Sequence, residues 1–176
     1  MIVHGIGGYA GIHWQGWLKQ ELERRDYRVV MPTLPAADHP DRTTWRRAVT
    51  RIMNKHQSEP LIIVTHSLGV VSVLDALEQS ENRARALISV SGFCSDYGAE
   101  LNSYFLKEKP IDFARVVPKL KKSVVLFGDN DPYVPQANLK ELALKLKVKP
   151  IIIKHGGHLN TDAGYTRFPR LVGEIM

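Results

Sequence analysis

Hydrophobic residues follow two patterns that alternate along the chain. Short runs rich in Val and Ile, typical of β-strands, alternate with longer segments in which apolar residues recur every three or four positions, as on one face of a helix. The first pattern predicts six strands, at residues 1–4, 27–31, 61–66, 86–91, 123–128 and 150–155. The second pattern predicts five helices, at residues 14–25, 43–56, 68–79, 135–147 and 165–176.

Two of the predicted strands contain unbroken apolar runs. Residues 61–64 and 151–153 are apolar at every position, a pattern typical of strands buried on both faces of a parallel sheet. The alternation of strand and helix predicts a three-layer α/β fold, with a mainly parallel sheet of about six strands and helices on both faces. The one long stretch with neither pattern, residues 92–118, lies where a segment covering a substrate could be inserted.

Length and composition predict one folded unit. The 176 residues contain no internal repeat or linker, so we expect a single domain over residues 1–176 with little or no lid. A hydrophobic content of 44% and a charged content of 24% are typical of a folded soluble protein. No apolar run approaches the roughly 20 residues that span a bilayer, and the first residues lack the features of a signal peptide. We therefore expect a cytoplasmic protein with no membrane partner.

Charge and cysteine content exclude further classes. The 24 Lys and Arg residues exceed the 18 Asp and Glu residues by six, but the basic residues are scattered over predicted helix faces rather than clustered. With no recognisable nucleic-acid-binding motif, we expect no nucleic-acid partner. Cys94 is the only cysteine, so the chain forms no internal disulfide and no multi-thiolate metal site.

Ser67 is the first candidate for chemistry. It lies in the sequence Thr-His-Ser-Leu-Gly at residues 65–69, between a buried strand and an apolar helix. A serine at such a turn can form a nucleophile elbow, in which small neighbours relieve crowding and the hydroxyl is presented to a substrate. The pentapeptide alone fits equally well a serine that caps the amino end of a helix. Its position at the strand-to-helix junction favours the elbow.

A base and its acceptor follow two later strands. Asp131 comes after the strand at 123–128, and His158 comes after the strand at 150–155. The chain order of Ser67, Asp131 and His158 is that of α/β-hydrolases, and the carboxyl ends of strands in open α/β sheets are where catalytic groups collect. The sequence therefore predicts a catalytic triad of these residues, in which His158 activates the serine and Asp131 orients the imidazole.

Asp129 and His155 are the alternatives to Asp131 and His158. Asp129 also follows its strand, but it belongs to a Gly-Asp-Asn sequence typical of a turn, whereas Asp131 begins the sequence Asp-Pro-Tyr-Val-Pro. His155 and His158 could form a metal-binding pair, but no further ligands complete a catalytic zinc spacing. We therefore predict no metal and no cofactor, and the flexible glycines before His158 favour it as the base.

A glycine-rich loop follows the first strand. The sequence His-Gly-Ile-Gly-Gly at residues 4–8 could form half of an oxyanion hole, with the backbone N–H groups of Ile6 and Leu68 as donors. It could instead hold a dinucleotide phosphate. The third position of that glycine motif is Ala10, and no acidic residue follows the second strand, so the oxyanion hole is favoured.

Taken together, the motifs resemble a known family. The sequences His-Gly at 4–5, His-Trp at 13–14, His-Ser-Leu-Gly at 66–69, Asp-Pro-Tyr-Val-Pro at 131–135 and Gly-Gly-His at 156–158 are similar to those of small α/β-hydrolases of the retinoblastoma-binding protein nine and YdeN type. The resemblance covers the whole chain, although Thr65 stands where many members carry Gly. It implies a nearly lidless serine hydrolase with the triad named above.

The resemblance and the motifs lead to one hypothesis and one alternative. The hypothesis is a serine hydrolase that cleaves small esters or activated amides through an acyl-enzyme. The alternative is a non-catalytic module of the same fold that binds a protein partner, a role ascribed to one branch of the family. Four residues are candidates for lining a substrate pocket, although such side chains also occur as ordinary core: His13, Trp14, Phe93 and Tyr133.

Overall fold

A computed structural model describes residues 1–176. The strands are β1 (Ile2–Val3), β2 (Ile62–His66), β3 (Ala84–Val90), β4 (Leu120–Gly128) and β5 (Ile151–Ile153). The helices are α1 (Gln15–Glu23), α2 (Arg42–Lys55), α3 (Gly69–Gln79), α4 (Ser103–Lys107), α5 (Phe113–Val116), α6 (Gln136–Lys145) and α7 (Pro169–Ile175). Short 3-10 turns lie at Val117–Lys119 and Thr161–Ala163. None of the helices combines the length and the apolar character needed to cross a membrane.

The strands form one parallel sheet. They lie side by side in the order β1-β2-β3-β4-β5, and every neighbouring pair runs in the same direction. Val64 in the second strand, for example, pairs with Ile2 on one side and with Ile88 on the other. The carboxyl ends of the strands therefore lie at one edge of the sheet, where the loops after β1, β2, β4 and β5 carry the predicted site residues.

Each face of the sheet has its own apolar core. Ile63 and Val125 point into a core shared with α2, α3 and α6. Val64 and Leu126, their neighbours in sequence, point into a second core shared with α1 and α7. Because successive strand residues face opposite sides, covering both faces requires apolar residues at every position. The predicted three-layer α/β fold is confirmed.

The predicted second strand is not part of the sheet, which has five strands rather than six. Residues 27–31 make one backbone hydrogen bond with the sheet, from the Ile2 N–H to the Val30 carbonyl at 2.9 Å. The adjacent strand β1 is only two residues long. It offers too little backbone for the repeated bonding of a strand pair.

The apolar run of β5 also differs from its prediction. Ile151 and Ile153 pack against the core formed with α1 and α7. Ile152 points to the other face and remains 48% exposed. Because β5 is the edge strand, burial of both faces does not extend to it.

The helix predictions agree with the structure except at the start of the last helix and within the stretch 92–118. The first four predicted helices correspond to α1, α2, α3 and α6. The last helix begins at Pro169 rather than at residue 165, since proline is well accommodated in the first turn of a helix. The stretch 92–118 contains the two short helices α4 and α5.

A buried ion pair fastens the stretch 92–118 to the body of the fold. The guanidinium of Arg42 donates from Nε and Nη2 to both carboxylate oxygens of Asp75, at 2.7 and 2.9 Å. Its Nη1 donates to the carbonyl oxygens of Phe105 and Lys109, at 3.0 and 2.7 Å. The side chains of Arg42 and Asp75 are only 3% and 1% exposed. Arg42 is therefore a structural residue and an exception to the solvated basic faces predicted from the sequence.

Replacing Arg42 tests this role. Arg42→Ala leaves the Asp75 carboxylate buried without its bidentate partner, a change that typically costs about 3–5 kcal/mol. We expect urea unfolding to show a loss of that size in the free energy of unfolding. Arg51→Ala removes an exposed arginine from the same helix and is expected to stay within about 0.5 kcal/mol of the wild type. Equal effects of the two substitutions would contradict the assigned role.

Candidate active site

Ser67 lies in a tight turn between β2 and α3. Its φ of +52° is in the left-handed region, and its N–H donates to the Val90 carbonyl at 2.9 Å. Gly69 begins α3 so close to the first loop that a Cβ there would lie 2.3 Å from the His4 carbonyl oxygen. Only glycine fits at this position, and the turn has the shape of a nucleophile elbow.

His158 and Asp131 form a buried hydrogen bond. His158 Nδ1 and Asp131 Oδ2 are 2.7 Å apart, and the two side chains are 8% and 0% exposed. The second carboxylate oxygen of Asp131 accepts from the N–H groups of Tyr133 and Val134, at 2.9 and 3.0 Å. Because a carboxylate only accepts, Nδ1 carries a proton, and in the neutral ring Nε2 is left as the base.

No hydrogen bond joins Ser67 to this pair. The ring of His66, the residue before Ser67, packs edge-on against the ring of His158 with centroids 4.9 Å apart. Ser67 is 8% exposed, and its hydroxyl makes no hydrogen bond within the chain. Catalytic hydrogen bonds are often long in unliganded enzymes and shorten when substrate binds. The structure thus brings the three predicted residues to one edge of the sheet and joins Asp131 to His158.

The first loop packs directly on the serine. A Cβ on Gly5 would lie 2.8 Å from the Cβ of Ser67, so the loop backbone touches the elbow. The backbone N–H groups of Ile6 and Leu68 lie outside helices and strands and donate to no backbone carbonyl. Two free donors in the segments next to Ser67 are what an oxyanion hole requires.

His4 holds this loop in place. Its Nδ1 is 2.7 Å from the Gly5 carbonyl oxygen, to which it donates, and its Nε2 accepts from the Leu34 N–H at 2.8 Å. Its ring also packs edge-on against Trp45. Burial lowers the pKa of His4, which agrees with a neutral ring that donates at one nitrogen and accepts at the other.

A second buried histidine holds the loop that carries His158. His66 Nε2 lies 3.0 Å from the His158 carbonyl oxygen, and Ser91 Oγ donates to the same oxygen at 3.0 Å. Burial, together with the neighbouring His158, lowers the pKa of His66 well below its ordinary value. A neutral His66 therefore donates from Nε2.

Two of the four predicted pocket residues are buried in the cores. Trp14 is 0% exposed, and its indole N–H donates to the Leu159 carbonyl at 2.9 Å. Phe93 is 1% exposed and packs in the core shared with α2, α3 and α6. Neither ring presents a surface to a substrate, so the structure contradicts these two assignments. Apolar packing, which local sequence does not reveal, accounts for both positions.

His13 and Tyr133 lie around the imidazole of His158. His13 is partly buried, packs edge-on against His66, and accepts at Nδ1 from the Thr161 N–H at 3.2 Å. Burial and the nearby His158 lower the pKa of His13. Tyr133 is 55% exposed, and its ring centroid lies 5.2 Å from that of His158. Both remain candidates for contact with a substrate.

A cavity of about 290 Å³ opens beside His158. Its lining is mainly polar and includes Tyr133, His155, Asn160 and Asp162. A larger cavity of about 430 Å³ lies at the other end of the sheet, where it is lined by residues that precede β2, β3 and β4. Sites in parallel sheets form beyond the carboxyl ends of the strands. The smaller cavity lies at that end and is lined by His158, but Ser67 is not among its lining residues.

Cys94 and Asp129 have roles outside the proposed chemistry. Burial and the neighbouring Glu141 raise the pKa of the Cys94 thiol to about 12, so it stays protonated and is a poor nucleophile. No three His, Cys, Asp or Glu side chains come together as a group that could hold a metal ion. Asp129, the alternative to Asp131, accepts from the His155 N–H at 2.7 Å and shapes the turn.

Sequence reasoning did not foresee the roles of His4, His66 and Ser91. Ser91 directly follows β3 at the carboxyl edge of the sheet, which is a usable signal for a site residue. His4 and His66 lie within the recognised motifs. His4 accepts from the Leu34 N–H and His66 donates to the His158 carbonyl, and no sequence pattern marks these distant backbone partners.

Comparison with known proteins identifies the family of the chain. A family model described as serine hydrolase matches residues 1–175. The YdeN protein of Bacillus subtilis strain 168 is 26% identical over 170 residues, which cover 96% of this chain and 89% of that protein.

Solved structures show the same fold. The crystal structure of the ydeN gene product of B. subtilis superposes with a TM-score of 0.88 at 24% identity, over 99% of this chain and 94% of that one. A monoacylglycerol lipase from Paleococcus ferrophilus superposes with a TM-score of 0.63 at 17% identity, over 87% of this chain and 82% of that one. The resemblance inferred from the motifs is confirmed: the chain belongs to the serine hydrolase family, as a small hydrolase of the YdeN type.

Proposed function

We propose that the chain hydrolyses small carboxylic esters or activated amides through an acyl-enzyme on Ser67. The observation that carries this proposal is the buried hydrogen bond between Asp131 and His158, at the edge of the sheet where Ser67 occupies its elbow. A bonded acid and imidazole beside an unbonded serine hydroxyl are the parts of a nucleophilic triad.

The first step forms the acyl-enzyme. Ser67 Oγ attacks the carbonyl carbon of the substrate while His158 Nε2 accepts the hydroxyl proton. The carbonyl electron pair moves to the oxygen, and the N–H groups of Ile6 and Leu68 donate to the resulting oxyanion. Asp131 stabilises the imidazolium. The intermediate collapses as His158 returns the proton to the leaving alcohol or amine, whose bond to the carbonyl carbon breaks.

Water completes the cycle. His158 Nε2 accepts a proton from a water molecule as the water oxygen attacks the acyl carbon. The second oxyanion is held by the same two N–H groups, and its collapse breaks the bond to Ser67 Oγ. The proton on His158 returns to the serine, and the free acid leaves.

The surroundings of His158 favour a small substrate. The leaving group receives its proton from His158 and so has to lie on that side of the serine. The cavity there measures about 290 Å³, at the lower end of the roughly 300–1,000 Å³ typical of ligand pockets. Its polar lining suits a short alcohol or amine better than a long apolar chain.

Labelling with a fluorophosphonate probe tests the nucleophile. We expect intact-mass measurement to show one adduct on the wild-type chain and none on Ser67→Ala, because the probe reacts only with an activated serine. An adduct that survives the substitution would contradict the assignment of Ser67. A wild-type chain that gains no adduct would instead favour the non-catalytic protein-binding module.

The Asp131→Asn substitution tests the orientation of the base. The asparagine oxygen can still accept from the N–H groups of Tyr133 and Val134, which turns its amide group toward His158 Nδ1. That nitrogen then has to accept, so the proton moves to Nε2 and the base is lost. We expect the turnover of a p-nitrophenyl ester to fall on the order of 10⁴-fold with the fold intact.

Asp129→Asn is the matched control for this substitution. It keeps an acceptor for the His155 N–H and does not touch His158. We expect its turnover to stay within about twofold of the wild type, in the range of substitutions outside a site. A loss confined to Asp129→Asn would transfer the role of the acid to Asp129.

The Gly5→Ala substitution tests the first loop. An added Cβ would lie 2.8 Å from Ser67 Cβ and 3.1 Å from the His66 carbonyl oxygen, so the loop has to move away from the elbow. Displacing the Ile6 N–H should lower kcat on the order of 10²-fold, as loss of one oxyanion donor does. Gly173→Ala, which places its Cβ in open space within α7, should leave kcat unchanged. Unchanged turnover in Gly5→Ala would rule out this loop as the oxyanion donor.

A further inference from the structure

The loop that carries His158 is held by side chains from other elements. Residues 156–160 lie outside any helix or strand. The carbonyl of His158 accepts from His66 Nε2 and from Ser91 Oγ, each at 3.0 Å. The next carbonyl, that of Leu159, accepts from the indole N–H of Trp14 at 2.9 Å.

The backbone on either side of His158 is in an unusual conformation. Gly157 has φ of +55° and Leu159 has φ of +50°. A leucine in the left-handed region is disfavoured by roughly 1–2 kcal/mol. Such a conformation persists only where the surrounding structure imposes it. The side-chain donors to the two carbonyls contribute to this, together with Asn130 Oδ1, which accepts from the Gly157 N–H at 2.8 Å.

Two of these donors, His66 and Ser91, lie next to the backbone hydrogen bond that joins Ser67 to the end of β3. The N–H of Ser67 donates to the carbonyl of Val90 at 2.9 Å. His66 precedes Ser67 in the chain, and Ser91 follows Val90. The ends of β2 and β3 therefore hold both the Ser67 backbone and the His158 carbonyl. The carbonyl cannot move relative to Ser67 without loss of its bonds to His66 and Ser91.

We propose that His66 is a positioning residue for His158: with Ser91, it holds the His158 carbonyl, and its ring supports the His158 ring edge-on. The inference rests on the proposed function, in which His158 is the base. In this role His66, the residue before the nucleophile, helps to set the distance between Ser67 and His158. No bond of the proposed reaction is made or broken on His66.

A neutral His66 suits this position. The Nε2 proton is committed to a carbonyl oxygen, and burial disfavours a second proton on the ring. The ring centroids of His13 and His158 lie 5.2 and 4.9 Å away, so a charged His66 would oppose the positive charge that His158 gains during the reaction.

Two substitutions of His66 separate positioning from packing. His66→Leu removes the donor but keeps an apolar side chain of similar reach. It should lower kcat on a p-nitrophenyl ester, and the rate of fluorophosphonate labelling, by about 10- to 100-fold with KM within about twofold, because small displacements of a catalytic group have effects of this size. His66→Gln keeps an N–H donor and should recover most of the loss.

Ser91 and Ser89 provide a matched pair. Both are buried serines at the end of β3, but the Ser89 hydroxyl has no hydrogen-bond partner. Ser91→Ala removes the second donor to the His158 carbonyl and should lower kcat by about tenfold, comparable to the loss of one hydrogen bond of about 1.4 kcal/mol. Ser89→Ala should leave kcat within about twofold of the wild type.

The outcomes separate this inference from the proposed function. If the wild type is labelled at Ser67 while folded His66→Leu and Ser91→Ala react at the wild-type rate, the positioning role is overturned and the hydrolase stands. If the wild type is not labelled, both are overturned. Should His66→Leu fail to fold, Ser91→Ala decides: a selective loss of kcat supports the inference, and an unchanged kcat refutes it.

Discussion

The five strands run in one direction, and the central strands are covered by helices on both faces, so the carboxyl ends of the strands lie together at one end of the sheet. Burial of both faces excludes water from the sheet and leaves the loops at its edges as the places where polar groups can meet. The elbow with Ser67, the turn with Asp131 and the loop with His158 come from three different strands. These loops lie together because all the strands are parallel, which places their carboxyl ends at the same end of the sheet.

Close contact between the backbone of the first loop and the elbow shapes the candidate site. Gly69 and Gly5 let the first loop and the elbow approach to distances that no Cβ would permit. Such packing leaves backbone groups that no helix or strand can satisfy, and they are paired with buried side chains instead. His4 and His66 serve this purpose, since a neutral imidazole can donate at one nitrogen and accept at the other. Two histidines other than His158 thus shape the loops around Ser67 and His158.

The same principle accounts for the stretch 92–118, which the sequence suggested as a possible cover for the site. Arg42 of α2 binds the Asp75 carboxylate of α3 and the backbone carbonyls of Phe105 and Lys109, which lie in this stretch. The stretch is therefore anchored to both helices. Breaking a buried pair by removing one partner is costly, and the anchor is correspondingly firm. A chain of 176 residues therefore uses its longest irregular segment as part of the body of the fold.

Local pattern was sufficient for the three-layer architecture, for the four central helices and for placing Ser67, Asp131 and His158 in loops beyond the carboxyl ends of strands. Periodicity reports which face of an element is apolar, and parallel strands bring the residues after their carboxyl ends together. Pattern was insufficient where the answer depends on a partner distant in the chain. Trp14 and Phe93 were predicted to line a pocket, Arg42 resembled its solvated neighbours, and residues 27–31 had the composition of a strand. Tertiary packing decided these cases. Burial and hydrogen bonding depend on which two segments come into contact, and the sequence of one segment does not identify its partner.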